Sequence, residues 1–127
     1  MKTVLVIEDD PLQQKLMIEK ISAAGFNVIS ASDGEMGLQT ARDNQPDIIL
    51  LDNMMPNMSG YEMLRRLRET GGWGEQVPVI FFSNIEPTSK DERNDLEAVQ
   101  PTAYLLKSDT DLTSIVQKIK ETLEVAN

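Results

Sequence analysis

The stretch Ile48-Ile49-Leu50-Leu51-Asp52 constrains the fold of this chain more than any other. Four apolar residues run without alternation and stop at an acid. A run this short, with β-branched residues and polar flanks, suits a strand buried on both faces, and such strands belong to parallel sheets. Asp52 then stands where the strand leaves the core. Open α/β sheets bind their ligands at the carboxyl ends of the strands. The next residues, Asn53-Met54-Met55-Pro56-Asn57-Met58-Ser59-Gly60, are loop chemistry leading into a helix.

The rest of the chain repeats this alternation. Thr3 to Ile7 reads as a first buried strand ending in Glu8-Asp9-Asp10, and Pro11 suits the first turn of a helix. Leu12, Leu16, Met17, Ile21 and Ala24 form an apolar stripe at helical spacing, closed by Gly25 as a C′ glycine. Phe26 to Ser30 is a second strand. Asp33-Gly34 caps a helix through about Arg42, with Leu38 and Ala41 inward, and Pro46 separates it from the central strand. Ser59-Gly60 starts a third helix with Met63, Leu64 and Leu67 on its inner face. Gly71-Gly72-Trp73-Gly74 reads as a connector with an exposed Trp; a strand follows it, so it is not a phosphate-cradling loop. Val77 to Phe82 is a fourth strand ending in Ser83-Asn84. Ser89 with Glu92 makes a capping box for a weakly amphipathic fourth helix. Ala103 to Leu106 is a fifth strand ending at Lys107, and Leu112, Ile115, Val116, Ile119 and Leu123 line a last helix that Thr110 or Asp111 can cap.

Five short strands alternating with helices predict a doubly wound five-stranded parallel sheet with helices on both faces. The 127 residues are one domain's worth, expected to be a single unit with no output domain after it. Right-handed crossovers put the carboxyl ends of all strands on one edge, and Glu8, Asp9, Asp52, Ser83 and Lys107 sit at those ends.

Each residue alone has a bland reading. An Asp at a strand end is usually a cap, and Asp10 fits that role here. A Lys after a strand usually faces solvent, Ser83 reads as a turn residue and Tyr104 as packing. The bland readings do not explain their joint occurrence. Carboxylates at ~4 Å repel by roughly 4 kcal/mol per pair at an effective dielectric of about 20. A hard divalent cation such as Mg²⁺ resolves the repulsion, and Lys107 adds a second positive charge. Together they can hold a phosphoryl group under attack by a carboxylate.

Composition narrows the partners. A net charge of −9 argues against nucleic acid, which needs a basic footprint. No apolar run approaches the ~20 residues of a membrane span, and the acidic N-terminus is no signal peptide. With Cys absent, a cytoplasmic home is the simplest inference. His is absent too, which removes a phosphohistidine on this chain.

The ordered set Val6-Ile7-Glu8-Asp9-Asp10-Pro11, Ala31-Ser32-Asp33-Gly34, Pro46 to Asp52, Met55 to Gly60, Pro78-Val79-Ile80, Ser83 and Tyr104-Leu105-Leu106-Lys107 resembles a response-regulator receiver domain of two-component signalling, over essentially the whole chain. The resemblance implies a flavodoxin-like fold and a role for each position. Asp52 would be the phosphoacceptor for a phosphohistidine on a histidine kinase or histidine phosphotransfer protein. Asp9 and Asp52 would bind Mg²⁺ directly with the Met54 carbonyl, and Glu8 through a metal-bound water. Lys107 would pair with the phosphoryl oxygens, Ser83 would hydrogen-bond them, and Tyr104 would change rotamer. That would alter the surface of the fourth helix, fifth strand and last helix for a downstream protein. The chain would be a monomer or weak dimer, and no enzyme beyond self-catalysed phosphorylation and dephosphorylation.

Departures from the family pattern carry expectations of their own. Ser108 stands where Pro usually follows the lysine. A cis bond before a non-proline residue costs about 2.5–4 kcal/mol, against roughly 0.5–1 before proline, so a trans Lys107-Ser108 bond is expected. Asn84 stands where a small residue is usual, implying a more crowded phosphoryl site. Three rival functions remain. A pseudo-receiver would keep the fold as an interaction module without phosphorylation. A phosphatase resembling the haloacid dehalogenases would need an acid where Met54 stands. A flavin module would need a phosphate cradle where the first strand–helix turn is acidic.

Overall fold

The computed structural model describes residues 1–126. Its sheet is five-stranded and wholly parallel, in the order β2-β1-β3-β4-β5. The strands are β1 (Thr3–Ile7), β2 (Asn27–Ala31), β3 (Ile48–Leu51), β4 (Val79–Ser83) and β5 (Ala103–Leu106). The helices are α1 (Pro11–Ala23), α2 (Gly34–Asn44), α3 (Gly60–Glu69), a single turn α4 (Trp73–Gln76), α5 (Lys90–Ala98) and α6 (Leu112–Ala126).

The period of two in a strand sorts the core into two layers. Leu5, Ile7, Ile49, Leu51, Val79 and Phe81 face α2, α3 and α5. Val4, Val6, Ile48, Leu50, Ile80 and Phe82 face α1 and α6. The three central strands β1, β3 and β4 are thus buried on both sides, which is why they read as unbroken apolar runs. Fully burying each such side chain contributes about 1.5–3 kcal/mol.

Local chemistry sets the element ends. Asp10 Oδ1 accepts from the amides of Leu12 and Gln13, so it caps α1. Asp33, Ser59 and Asp111 accept from the amides of Met36, Glu62 and Ser114 at the starts of α2, α3 and α6. Gly25, at φ 99°, closes α1 in a conformation that favours glycine. Ser89 caps α5 through the Glu92 amide, but Glu92 returns its bond to Thr88 N, one residue before the expected partner.

Several expectations fail in instructive ways. Leu12 and Leu16 are 65% and 42% exposed; only Met17 and Ile21 of that stripe are fully buried. α1 covers the sheet beside α6, and two inward positions suffice to close that contact. Trp73 is not on an exposed connector: it starts α4 and packs half-buried on the α3 side of the core. β2 and β4 begin later than expected and run to Ala31 and Ser83.

Arg68, near the end of α3, donates to the carbonyls of Gly74, Val77, Val99 and Gln100. One planar guanidinium thereby fixes α4 and the carboxyl end of α5 to α3.

Candidate functional site

The chain runs from β1 outward to β2, then returns across β1 to β3, so the winding reverses between β1 and β3. Ligands of doubly wound sheets bind at this reversal. Ile7 pairs with Leu51 across it, so Glu8 and Asp52 leave the sheet side by side. The ladder continues past the strands: Glu8 N donates to Ala31 O, Asp52 N to Ile7 O and Lys107 N to Ser83 O. The backbone therefore holds Glu8, Asp52 and Lys107 in register.

Glu8 and Asp52 are almost fully buried, at 1% and 5% exposure, whereas Asp9 is exposed. Oxygens of Glu8, Asp9 and Asp52 all lie within 4.8 Å of one another. Lys107 Nζ donates to both oxygens of Glu8, at 2.9 and 3.1 Å, and reaches Asp52 Oδ2 at 3.5 Å. The lysine is thus shared, and Glu8 holds the larger part. Burial pushes the Glu8 carboxyl up, the Lys107 hydrogen bond opposes this, and the Asp52 charge adds to the rise. The stability tied to Glu8 protonation is complete below the ordinary glutamate value and is lost as pH rises through the raised one.

The donor set fits a hard cation. Three carboxylates, of which only Asp9 is exposed, converge on one edge, with Lys107 as the one lysine paired with them among the described residues. Asp52 Oδ1 accepts from Met54 N at 3.1 Å, which pins the loop carrying the Met54 carbonyl. Asp10 faces its helix as a cap and stays out of the cluster.

Ser83 is fully buried; its Oγ accepts from Ile85 N at 3.4 Å, and no hydrogen bond joins it to Asp52 among the described residues. Asn84 is exposed. Tyr104 stacks on Phe81 with ring centroids 5.2 Å apart and donates its hydroxyl to Ile85 O. Ile85 therefore joins Ser83 and Tyr104, through its amide and its carbonyl respectively. The Lys107-Ser108 bond is trans, as expected; Asp109 N turns back to Leu106 O, and Lys107 still reaches the acidic edge.

Sequence reasoning missed Asn53. Its Oδ1 accepts from Tyr61 N and its Nδ2 reaches the Tyr104 hydroxyl at 3.5 Å, so it bridges the Asp52 loop, α3 and Tyr104. Its only sequence signal was adjacency to Asp52. Gly60 was read merely as a helix start. Its amide donates to Asn53 O, and a Cβ there would collide with Asp52 O and come within 2.8 Å of Asn53 Cα. Gly60→Ala is expected to cost about 1–3 kcal/mol, because backbone must move. Urea unfolding measures it; an unchanged midpoint would mean the loop yields freely.

The comparisons agree with this geometry. A family model for the response regulator receiver domain matches residues 4–120. The polar-differentiation response regulator DivK of Brucella anthropi is 33% identical over 92 residues, covering 72% of this chain and 74% of that one. The alkaline phosphatase synthesis transcriptional regulatory protein PhoP of Bacillus subtilis is 34% identical over 94 residues, 74% of this chain. This chain spans 36% of PhoP and 35% of the transcriptional regulatory protein AfsQ1 of Streptomyces coelicolor. In fold, the Francisella response regulator 1452 receiver domain superposes with a TM-score of 0.86 over 100% of both chains, at 24% identity. Chemotaxis protein CheY4 of Vibrio cholerae gives 0.84 over 95% of this chain and 98% of that one, also at 24% identity. With its sheet, its acidic edge and these relatives together, the chain belongs to the response regulator receiver domains, the phosphoacceptor modules of two-component signalling.

Proposed function

We propose that Asp52 is the phosphoacceptor, and that it takes its phosphoryl group from a phosphohistidine on a histidine kinase or histidine phosphotransfer protein. The observation that carries this reading is the carboxylate of Asp52 at the winding reversal, with Lys107 Nζ at 3.5 Å and the acids Glu8 and Asp9 beside it. One Asp52 oxygen forms the new bond to phosphorus as the phosphorus–nitrogen bond breaks, and the electron pair returns to the partner's imidazole. Lys107 neutralises phosphoryl oxygens, leaving Glu8 for Asp52's new acyl phosphate. Asp9, Asp52 and the Met54 carbonyl would hold Mg²⁺, with Glu8 behind a bound water. The ion would supply charge neutralisation at the phosphoryl oxygens.

Ser83 and Tyr104 form the proposed switch. Both depend on Ile85, so a Ser83 hydroxyl that turns to the phosphoryl group releases the Ile85 amide and loosens the hold on Tyr104. A downstream protein partner would read that change. The chain acts as an acceptor, with no catalysis beyond its own phosphorylation and dephosphorylation. It works as a monomer or weak dimer. The complete set Asp9, Asp52, Ser83 and Lys107 favours this over a pseudo-receiver.

The direct test is incubation with acetyl phosphate and Mg²⁺ followed by intact mass spectrometry; a single phosphoryl adduct is expected, and an unmodified chain favours the pseudo-receiver. Mg²⁺ titration followed by amide NMR should move Glu8, Asp9 and Asn53 to Met55 before any other region. Shifts scattered over the acidic surface instead would remove the cation from this edge.

A further inference from the structure

A groove of about 670 Å³ opens between α5 and the loop that follows β3. It shares Pro87 and Tyr104 with a smaller hollow, which is lined by Arg93 of α5 and by Leu105 and Leu106 of β5. Its floor is Leu96, Met55 and Tyr104, and its rim is Met54 and Ile85, which are 52% and 48% exposed. Glu92 and Asp95 stand with Leu96 on the α5 wall at helical spacing, and among the described residues no Lys or Arg lines the groove. The wall is fixed from behind, because Arg68 clamps the carboxyl end of α5 to α3.

We infer that this groove is a docking site for a basic amphipathic helix of a partner protein. Two features select that occupant. Charge is the first: an apolar floor under two exposed carboxylates, on a chain of net charge −9, attracts lysines or arginines flanking an apolar stripe. Backbone bonding is the second. Asn53 Oδ1 is spent on Tyr61 N, Ser59 Oγ on Glu62 N, and the Tyr104 hydroxyl on Ile85 O. Those three side-chain atoms are therefore already engaged and do not serve the backbone of an extended segment. A helix brings its backbone already bonded and needs only side-chain contacts. The inference concerns the groove before any phosphoryl transfer, and its test needs none.

The test uses the full chain, labelled for amide NMR, and a synthetic helical peptide with a leucine stripe flanked by lysines. Its control replaces the lysines with glutamates. Shifts are expected at Met54 to Ser59, Ile85 to Leu96 and Tyr104, with the lysine peptide only. Asp95→Lys should weaken binding about fivefold or more, since one exposed pair becomes a repulsion. The Asp95 side chain makes no hydrogen bond among the described residues, so this variant should fold and still accept phosphoryl from acetyl phosphate. Ile85→Ser, which keeps the backbone bonds, should weaken binding through the rim alone. Shifts on α1 or α6, equal binding of the glutamate peptide, or an unaltered affinity in Asp95→Lys would overturn the proposal. So would self-association of the chain through this groove, because the occupant would then be a second copy.

Discussion

Asp52→Asn is expected to abolish the phosphoryl adduct completely while leaving the fold intact. The change is nearly isosteric. The amide oxygen can still accept from Met54 N, as Asp52 Oδ1 does at 3.1 Å, so the loop stays pinned. What is lost is the nucleophile: an amide oxygen has neither the charge nor the basicity to form a stable bond to phosphorus. Stability should hold or rise slightly, because one member of a buried like-charged pair is removed and the Asp52 charge no longer pushes the Glu8 carboxyl up. Lys107 then serves Glu8 alone, and Mg²⁺ affinity should fall with the loss of a charged ligand. Intact mass spectrometry after acetyl phosphate treatment reads the adduct, and urea unfolding reads the fold. A variant that still gains one phosphoryl group would move the acceptor to another acid, with exposed Asp9 the first to examine.

Much of this site was legible in the sequence because strand ends are easy to read. Unbroken apolar runs mark strands buried on both faces, and parallel winding then gathers their carboxyl ends. Glu8, Asp52 and Lys107 follow from that rule alone. The side to which each side chain points did not. Glu8 and Asp9 are neighbours of equal charge at the end of β1, yet one is buried against Lys107 and the other is exposed. Strand alternation requires that they diverge, but which one turns inward depends on β3 and β5, far away in the chain. Lys107 reaches both buried acids, and its shorter contact goes to Glu8 for the same reason.

The misreadings elsewhere are also non-local. Leu12 and Leu16 have the spacing of an inward stripe, but the buried positions of α1 are Met17 and Ile21. Trp73 sits among glycines, which read as a connector, and only the core behind α3 draws it in. Arg68 and Asn53 carry no pattern at all. Their work is hydrogen bonding to carbonyls, amides and hydroxyls that lie 6 to 51 residues away. Caps such as Asp10, Asp33 and Ser59 were legible because their partners are two or three residues ahead.

Lys107→Met should show the largest loss of stability. The side chain keeps its length, so packing near Phe82, whose ring centroid lies 5.8 Å from Nζ, is largely retained. The charge is lost, and Glu8 and Asp52 remain buried at 1% and 5% exposure without a cation. Removing one partner of a buried pair costs about 3–5 kcal/mol. A domain's whole stability is ~5–15 kcal/mol, so the variant should be marginal at neutral pH. The pH dependence identifies the cause. Burial already raises the Glu8 carboxyl, and the Lys107 hydrogen bond is the strongest influence holding it down. Without the lysine the carboxyl rises further, so the folded variant takes up a proton more readily than the unfolded chain. The deficit should therefore shrink as pH falls toward the ordinary glutamate value. Added Mg²⁺ should reduce it too at neutral pH, by restoring positive charge to the same edge. Urea unfolding at neutral and mildly acidic pH, with and without Mg²⁺, separates these effects. A Lys107→Met midpoint within about 0.5 kcal/mol of the parent at neutral pH would mean that the Lys107–Glu8 pair is not formed in solution. A large deficit that ignores both protons and Mg²⁺ would trace the loss to packing instead of charge.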